Sequence, residues 1–585
     1  MKFMHVAEIF LKIEAEPSRT AMTKMLAELF SETSPIDAEH IANLSLGQMR
    51  APYRGTKFNF AQKGMEEVVA ELLGISIKEL RAYTVQTGDI GAVVAEMGKW
   101  KVADHLTVKE VFAELERFEA LSGTGSVEEK AAALSKLLKS VDPLSACFIV
   151  RIVLQKLRLG FSEMTLIDAF SWMLVGDKSL RGQIEYAFNV SADIGYLARR
   201  LREDGVAALD QIDITVGIPI RPAAAERLPT ASAIFKKLGA CVAQPKYDGF
   251  RVQVHLKKGR GHRPELHFFS RNLLDMTGMF PDLAKELLDV SIKNVVVEGE
   301  AISYDPETGT YRPFQETVKR KRKYDIAEVA EEYPLRLILF DLLFCDDVSY
   351  LDEPEEKRFQ ELKKIFGQNR VATVTVTEQR VIEDAEALEN YFSEAISIGL
   401  EGLVVKRPDA PYQPGKRNFN WIKLKRAQRG ELADTIDVVI LGYYYGRGKR
   451  ASLGIGAFLV GVYNSDEDRF ETIAKIGTGL TDDGWRDLKK RCDERHIING
   501  PHNVIVAKEL VPDKWVAPEI VVMVKADEIT RSPLHTAGKT QKELGFALRF
   551  PRFIEYRSDK SSTEATGVDE IKSLFHEQRL LSEEG

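Results

Sequence analysis

The spacing of apolar residues changes along this 585-residue chain, and the change constrains the fold more than any other feature. In the first part, apolar side chains recur at the positions i, i+3, i+4 and i+7 of a helix, as in the stripe formed by Val6, Ile9, Phe10 and Ile13. The same pattern returns in several later segments, and glycines interrupt it. We therefore predict an all-α domain over residues 1–215.

From about residue 216 the pattern changes to short β-type runs that alternate with helical segments. The run 335–340 has the length and composition of a buried strand, whereas 354–366 has helical spacing. The last part of the chain has more strand-like runs, including 504–511, with turn signals between them. We predict an α+β domain over 216–428 and a small β-barrel domain over 429–585 that ends in a helix.

Composition excludes several classes of protein. The 81 basic and 88 acidic residues give a net charge of −7, which excludes a uniformly basic surface but not a local basic face. The four cysteines lie far apart and form no CxxC pair, so a disulfide framework and a cysteine zinc site are not expected. Because no run of about 18 apolar residues and no signal-peptide pattern is present, we expect a cytoplasmic protein without a membrane partner.

The hexapeptide Lys246-Tyr-Asp-Gly-Phe-Arg251 is the sharpest chemical signal. A lysine acts as a nucleophile only when deprotonated, which requires burial or neighbouring cations to lower its pKa. Gly249 allows the backbone to turn tightly beside a ligand. Taken alone, the hexapeptide is as typical of an ordinary turn into a strand as it is of a catalytic site.

Acidic residues end two of the predicted strands. Strand alternation places Glu298 and Glu300 on one face, and Glu401 begins another apolar run that ends at Lys406. Carboxylates at the end of a buried strand suit Mg²⁺ or a sugar hydroxyl. The alternatives are a solvated strand end for Glu298 and Glu300 and a salt-bridged strand for Glu401.

The segment 421–425 places two cations beside an aromatic ring. Alternation sends Trp421, Lys423 and Lys425 to one face of a strand and the intervening apolar residues to the other. Two lysines on one half-buried face are costly unless an anion lies there. A triphosphate would satisfy them and would explain a lowered pKa at a third lysine nearby.

Two basic segments are candidates for contact with nucleic-acid phosphates. One is the run of five cations at 319–323, which includes Lys319, Arg320 and Arg322. The other is a glycine-rich turn that carries Arg447 and Lys449. A run of this kind is usually only a solvated loop.

Taken in order, these segments resemble the covalent nucleotidyltransferase superfamily, and more specifically the ATP-dependent DNA ligases of the archaeal and eukaryotic replicative type. The matching segments run nearly end to end: KYDGFR at 246–251, FSRN at 269–272, VVEGEAI at 296–302, RPFQETVKRKRK at 312–323, LFDLL at 339–343, EGLVVK at 401–406, WIKLK at 421–425, GYYYGRGKRA at 442–451 and RFPRF at 549–553. One such motif is weak support, whereas the ordered set is very specific.

The resemblance implies a helical DNA-binding domain, an adenylation domain and an oligonucleotide-binding (OB-fold) β-barrel. It implies an enzyme that seals nicks in duplex DNA with ATP and Mg²⁺, for which Mn²⁺ can substitute. In such enzymes the motif lysine, here Lys246, attacks the α-phosphorus of ATP and releases pyrophosphate. AMP then passes to the 5′-phosphate of the nick, and the 3′-hydroxyl displaces it.

The resemblance also implies roles for individual residues of this sequence. Arg251 and Arg271 match phosphate and ribose contacts, Glu300 an acid that holds the ribose and a metal ion, and Phe340 the aromatic ring stacked on adenine. The remaining matches are a second metal-linked acid and a set of phosphate-contacting cations, which are Glu401, Arg417, Lys423, Lys425, Arg549 and Arg552. The last two lie about 300 residues from Lys246, so the barrel must close over the cleft for the first step.

Two positions depart from the family pattern. The residue two before Lys246 is usually a glutamate that accepts from the adenine amino group, but here it is Gln244. Since a glutamine amide both accepts and donates, the sequence leaves open a nucleotide other than ATP, such as GTP, ADP or NAD. The second departure is Met523, where related chains often carry glutamate.

Two other interpretations stay open at this point. One is another enzyme of the superfamily, an RNA ligase or a capping guanylyltransferase. The other is a non-catalytic scaffold that binds DNA ends. For the DNA ligase interpretation the expected partners are nicked duplex DNA and a ring-shaped sliding clamp, the latter implied by the resemblance alone, and the expected state is a monomer.

Overall fold

The computed structural model of the chain describes residues 1–87, 89–123, 125–259, 263–312, 316–317, 319–320, 326–367, 373–425, 435–446 and 453–583. Within these residues a helical region is followed by an α/β region and then by a β-rich region, which confirms the predicted order of structural classes. In the described part of the chain no helix is both long enough and apolar enough to cross a membrane.

The first region packs its helices around one apolar core that runs from Phe3 to Ile212. Several helices begin at a side-chain cap, such as Ser34 before Pro35 and the capping box of Thr107 with Glu110. The described helices of this region are Phe3–Ala15, Arg19–Ser31, Pro35–Ser45, Gln62–Leu73, Ile77–Thr87, Ile90–Met97, Val108–Ala120, Ser126–Lys139, Pro143–Val153, Glu163–Val175, Arg181–Ser191 and Ile194–Asp204.

The middle region contains two sheets. Its strands are β1 (Ala224–Arg227), β2 (Cys241–Lys246), β3 (Phe250–Lys257), β4 (Glu265–Ser270), β5 (Asn294–Ser303), β6 (Leu335–Cys345), β7 (Val348–Ser349), β8 (Val374–Val376), β9 (Arg380–Ile382), β10 (Gly402–Lys406) and β11 (Arg417–Lys425). Its helices are Ala231–Leu238, Pro281–Leu288, Ile326–Glu332, Glu355–Phe366 and Ala385–Ser397.

The strand order of the two sheets decides where the site forms. One sheet has the order β1-β11-β10-β2-β9, and the other has the order β4-β3-β5-β6-β7 with β8 beside β6. The chain passes from the first sheet to the second in the short turn between β2 and β3, directly after Lys246. The ends of β2, β10 and β11 and the strands of the second sheet therefore meet around this turn.

The third region is built on β12 (Ile436–Tyr444), which pairs with three other strands. The further strands are β13 (Ala457–Asn464), β14 (Arg469–Ile476), β15 (His496–Ile497), β16 (Val504–Ile505), β17 (Lys514–Val516), β18 (Val521–Lys525), β19 (Glu528–Ser532), β20 (Gly545–Arg549) and β21 (Arg552–Tyr556). Helix Asp482–Asp493 packs on this core, and the chain ends in helix Val568–Glu583 as predicted.

The predicted strand over 504–511 was too long. Only Val504–Ile505 pairs with a neighbour, and Lys508–Leu510 forms a single 3₁₀ turn. The apolar residues of this segment still pack against the core, because Leu510 is buried and Val506 is partly buried against the same cluster. Alternating apolar residues were thus buried by an irregular segment without a continuous strand ladder.

The three regions contact one another around a central cavity. The helical region meets the β-rich region through an ion pair of Arg19 with Asp468, and His502 packs against Gly160. The helical region meets the α/β region where Asn189 donates to the carbonyl oxygen of Pro414 at 2.9 Å. These contacts bring the β-rich region, and its terminal helix, close to the end of β11.

Candidate active site

Lys246 lies at the end of β2 and faces two acidic side chains. Its Nζ is ion-paired with Glu401 Oε2, and the other oxygen of Glu401 is ion-paired with Nζ of Lys425. The pairing of β10 with both β2 and β11 produces this arrangement, because Gly402 is opposite Lys246 on one side and opposite Lys425 on the other. The carboxylate of Glu401 therefore bridges two lysines that are 179 positions apart by subtraction.

The protonation of these groups differs from the expectation of a lysine with a lowered pKa. Burial favours the neutral form of Lys246, but the carboxylates of Glu401 and Glu300 outweigh it and raise the pKa of Lys246. Burial also opposes the charge of Glu401, yet Lys246 and Lys425 lower its pKa to about 2. In this arrangement Lys246 is a protonated lysine held by a carboxylate.

Glu300 differs from Glu401 in its protonation. It lies on β5, and its Oε1 accepts a hydrogen bond of 3.1 Å from the backbone N–H of Gly249. Burial raises the pKa of Glu300 to about 7, against the opposing effects of Lys246 and Arg251. Gly249 has no room for a side chain, since a Cβ there would lie 2.5 Å from the carbonyl oxygen of Ala301.

The two carboxylates fit a divalent cation only in part. Among the described residues no group of three His, Cys, Asp or Glu side chains could hold a metal ion by itself. Two carboxylates together with phosphate oxygens are, however, the usual ligand set of Mg²⁺ in phosphoryl-transfer enzymes. Glu300 and Glu401 therefore suit a cation that arrives with a polyphosphate.

The predicted alternation of β11 is confirmed. Ile422 and Leu424 are buried in the core of the first sheet, while Lys423 and Lys425 point to the cleft side and stay partly exposed. Burial lowers the pKa of Lys423 to about 7, although Glu570 opposes this shift. The strand thus presents a half-buried, weakly held positive charge toward the cleft.

The terminal helix places a carboxylate on this face. Oε1 of Glu570 lies 3.4 Å from Nζ of Lys423, and Oε2 lies 3.2 Å from Nη1 of Arg417. Burial alone would raise the pKa of Glu570, but Lys423 and Arg417 lower it to about 2. Two of the predicted phosphate contacts are thus paired with an acid of the β-rich region.

Glu564, a second acid that lies just before the terminal helix, contacts Arg271, another of the residues predicted to bind the nucleotide. Nε of Arg271 lies 3.1 Å from Oε1 of Glu564, and the pKa of Glu564 is lowered although its burial opposes this. Arg417 also donates to the backbone oxygen of Glu564 at 3.4 Å. The segment from Glu564 to Glu570 therefore lies against the cations that the sequence assigned to a nucleotide.

Arg549 and Arg552 do not lie at this site. Arg549 pairs with Glu528 at 2.5 Å and Arg552 with Asp527 at 3.1 Å, both within the β-rich region and near its surface. Between them Phe550 is 63% exposed and has a left-handed backbone conformation with φ of 50°. In this arrangement of the regions the two arginines are thus paired with acids of their own region.

Two aromatic rings and a half-buried arginine line the neighbouring part of the cleft. The guanidinium of Arg251 lies 5.5 Å from the ring centre of Phe340 and 5.4 Å from that of Trp421. Arg251 donates to Glu298 Oε2 at 2.7 Å and to the carbonyl oxygen of Ala223 at 2.6 Å. Phe340 lies beside this cation and is partly exposed, so part of its ring is available for stacking.

Gln244 lies on the same face of β2 as Lys246, two residues earlier, and is buried. Its amide nitrogen donates to Gln379 Oε1 at 2.6 Å and lies 3.5 Å from Glu355 Oε1 and from the carbonyl oxygen of Phe340. The amide of Gln244 therefore lies beside the backbone of Phe340.

Comparisons with known proteins identify the family of the chain. Residues 222–425 match the family described as "ATP dependent DNA ligase domain", residues 2–171 match "DNA ligase N terminus", and residues 451–560 match "ATP dependent DNA ligase C terminal region". The chain belongs to the ATP-dependent DNA ligase family.

Relatives of the ligase match along its whole length. A "Probable DNA ligase" of Dictyoglomus turgidum is 45% identical over 99% of this chain and 98% of its own. A "DNA ligase" of Pyrobaculum islandicum is 38% identical over 100% of both chains. The solved structure "mycobacterial DNA ligase D complexed with ATP and MES" is 25% identical, covers 59% of this chain and 97% of its own, and has a TM-score of 0.32.

The residues predicted to contact DNA have different fates in the ligase. Lys319 is exposed, and its Nζ lies 3.0 Å from the hydroxyl of Tyr333. Arg320, in contrast, is only 2% exposed, and it pairs with Asp282 at 2.6 Å. A phosphate contact does not fit this buried position of Arg320, because its guanidinium also donates to backbone carbonyl groups. Arg322, Arg447 and Lys449 lie outside the described residues.

Sequence reasoning missed several residues that the ligase brings to the cleft. Glu355 and Gln379 meet beside Gln244, and Glu564 and Glu570 meet the predicted phosphate contacts. Each lies far along the sequence from the residue that it contacts, so no short motif contains both. The only local signal is Pro354, which precedes helix Glu355–Phe366 and indicates that a helix begins at Glu355. Nothing in the structure explains Met523.

Proposed function

We propose the following assignment of the enzyme's parts, whose family activity is the ATP-dependent sealing of nicks in duplex DNA. Residues 1–215 form a DNA-binding domain, 216–428 the adenylation domain and 429–585 an OB-fold domain with a terminal helix. The family matches over 2–171, 222–425 and 451–560 support this division. One main apolar core of each region also lies within these bounds.

In the first step Lys246 is the nucleophile. Its deprotonated Nζ bonds to the α-phosphorus of ATP, the bond from that phosphorus to the bridging oxygen of the β-phosphate breaks, and pyrophosphate leaves. The observation that carries this assignment is the convergence of Lys246, Glu401 and Lys425 at the ends of three paired strands. A lysine held this rigidly meets the requirement for in-line attack.

The proton of Lys246 must leave before the attack. Glu401, with a pKa of about 2, is a weak proton acceptor. The pKa of Glu300 is raised to about 7 by burial, so Glu300 is better matched to hold a proton at neutral pH. Neutralising Glu300 would also weaken the attraction that raises the pKa of Lys246.

The cations of the cleft neutralise the phosphates. Lys425 and Lys423 are placed for the α-phosphate, and Arg417 and Arg271 lie along the same face for the remaining charge and the ribose. We assign Mg²⁺ to Glu401 and to Glu300 in its ionised form, where it would neutralise the charge that develops on the phosphate oxygens; Mn²⁺ has the same preference for oxygen ligands.

The arrangement of the regions implies movement during the cycle. Glu570 pairs with Lys423 and Arg417. Neither cation can bind a polyphosphate while it is paired with Glu570. Arg549 and Arg552 would have to approach the cleft to orient the pyrophosphate. The OB-fold domain therefore leaves its present position before ATP is bound and returns in another orientation.

The DNA duplex is proposed to contact the chain through distributed phosphate contacts. Lys319 is exposed, and Arg322, Arg447 and Lys449 lie in basic segments of the sequence. Because the net charge is −7, such contacts must be local. Affinity for nicked DNA should therefore fall steeply with salt.

Intact-protein mass tests the nucleophile. AMP-free enzyme, incubated with ATP and Mg²⁺, should gain the mass of one AMP, and Lys246→Ala should gain none. Lys357→Ala is the matched control, since Lys357 is a surface lysine paired with Glu353. Full adduct formation by folded Lys246→Ala, or its loss in Lys357→Ala, would contradict the assignment.

A further inference from the structure

Gln244, Gln379 and Glu355 form a hydrogen-bonded chain of three side chains beside the backbone of Phe340, and the direction of each donor in it is fixed. Nε2 of Gln379 donates to Glu355 Oε2 at 3.4 Å, and Oε1 of Gln379 accepts from Nε2 of Gln244 at 2.6 Å. Gln244 Nε2 also lies 3.5 Å from Glu355 Oε1. The three residues come from β2, from the segment before β9 and from the start of helix Glu355–Phe366.

The direction of this chain follows from its charged end. Nζ of Lys406 lies 3.6 Å from Glu355 Oε1, and Lys406 itself is buried. Burial raises the pKa of Glu355 and Lys406 opposes this shift, so pairing with this buried cation favours the ionised carboxylate. An ionised carboxylate only accepts hydrogen bonds. Gln379 must therefore turn its NH₂ toward Glu355 and its oxygen toward Gln244.

The two acceptor oxygens that face Gln244 orient its amide in the same way. If it were flipped, its oxygen would face the oxygen of Gln379 and the carboxylate of Glu355, which would give two repulsive contacts. In the observed orientation the NH₂ faces both acceptors. The oxygen of Gln244 has no hydrogen-bond partner among the residues that the structure describes, so it is left to meet a ligand.

The ligand at this point is the base of the nucleotide. Gln244 and Lys246 share one face of β2 and are two residues apart, which is about 7 Å along a strand. The ring of Phe340, whose backbone oxygen lies 3.5 Å from Gln244 Nε2, supplies the adjoining aromatic surface. A nucleotide with its α-phosphate at Lys246 and its base on Phe340 brings the base edge to Gln244.

We propose that Glu355 and Gln379 are positioning residues that hold Gln244 with its carbonyl oxygen toward the base, so that the enzyme selects purines with an amino group at position 6. The inference rests on the proposed role of Lys246. A 6-amino purine donates to this oxygen, whereas the oxygen of a 6-oxo purine is repelled by it. The orientation answers the question left open by Gln244 in favour of ATP over GTP.

Four nucleotides separate position 6 from position 2 of the base. ATP and 2,6-diaminopurine riboside triphosphate carry a 6-amino group, whereas ITP and GTP carry a 6-oxo group. Adduct formation on Lys246 is measured by intact mass as kcat/KM for each nucleotide. The full-length enzyme should use the two 6-amino purines and discriminate against ITP and GTP by at least about tenfold.

Variants of the positioning residues then test the mechanism. Glu355→Gln can donate as well as accept, so it removes the constraint on Gln379 and should lower the ratio of ATP to ITP use by about tenfold. Gln379→Leu should lower the same ratio, and Glu355→Asp should restore part of it. Glu356→Gln is the matched control, because Glu356 is the next residue and its side chain accepts a hydrogen bond from the exposed Gln360, away from Gln244 and Gln379.

The outcomes separate this inference from the proposed function. Loss of activity with all four nucleotides in equal proportion would show only structural damage and would contradict a role in selection. Equal use of ATP and ITP by the unaltered enzyme, or discrimination that follows position 2, would overturn the inference while leaving the nucleophile intact. Absence of any adduct on Lys246 would instead refute the proposed function.

Discussion

Replacement of Glu570 tests whether the terminal helix competes with the nucleotide. Glu570 is 8% exposed and contacts Arg417 at 3.2 Å and Lys423 at 3.4 Å. In the function proposed above ATP uses the same two cations, so we expect it to bind only to molecules in which these contacts are broken. The change Glu570→Gln keeps the shape of the side chain and removes its charge, and we expect faster adenylylation at low ATP.

The size of the effect follows from the geometry. A hydrogen bond to a charged group contributes about 1.5–3 kcal/mol, and partial exposure of Arg417 and Lys423 reduces the net effect to about 1–2 kcal/mol. The apparent dissociation constant for a ligand is the intrinsic one divided by the open fraction. The KM for ATP should therefore fall roughly 5- to 30-fold, with little change in the rate at saturating ATP.

The assay is the initial rate of lysyl-AMP formation against ATP concentration, followed by intact mass. Because Glu570 supports the charge of Lys423, whose pKa is about 7, the measurement is made at pH 6. The matched control is Asp569→Asn, since Asp569 is the adjacent acid and pairs with Lys572 on the exposed side. An unchanged KM for Glu570→Gln, or an equal fall for Asp569→Asn, would refute the reasoning.

Three further changes have distinct expected results. Arg320→Ala should destabilise the protein by about 2 kcal/mol in thermal unfolding, because it removes a buried guanidinium that pairs with the partly exposed Asp282, and should leave the salt dependence of DNA binding unchanged. Lys319→Ala should instead lower the salt slope by about 1 in binding to nicked duplex, and equal slopes for both variants would contradict this contrast. Lys423 loses its charge as pH rises through about 7, so KM for ATP should increase between pH 6 and 9, whereas Lys423→Arg stays charged and should flatten the profile; parallel profiles would exclude Lys423 as the titrating group. Four groups act on its charge: Glu570, Arg417, Lys425 and Lys560.

Much of the fold and of the nucleotide site could be predicted because local patterns carry the information. The alternation of Trp421, Lys423 and Lys425 fixes which face each side chain takes, whatever the neighbouring strands are. The same holds for the acids of β5 and for the terminal helix. The family motifs supply the rest, since an ordered set of short segments recurs with similar spacing.

The contacts between these segments could not be predicted in the same way. Nothing in the run 319–323 distinguishes buried Arg320 from exposed Lys319, because burial is decided by the neighbouring Asp282 and by backbone carbonyl groups. The raised pKa of Lys246 was likewise unexpected, since it depends on carboxylates that are brought to it by two other strands.

The sequence by itself determined the order of the helical, α/β and β-rich regions and the face that each side chain of β11 takes. Only the tertiary structure decided that Glu570 lies on Lys423, that Glu355 and Gln379 orient Gln244, and that Arg549 lies elsewhere. The physical reason is that periodicity acts over a few residues. Charge pairing and amide orientation depend on side chains that meet only when strands, helices and whole regions pack together.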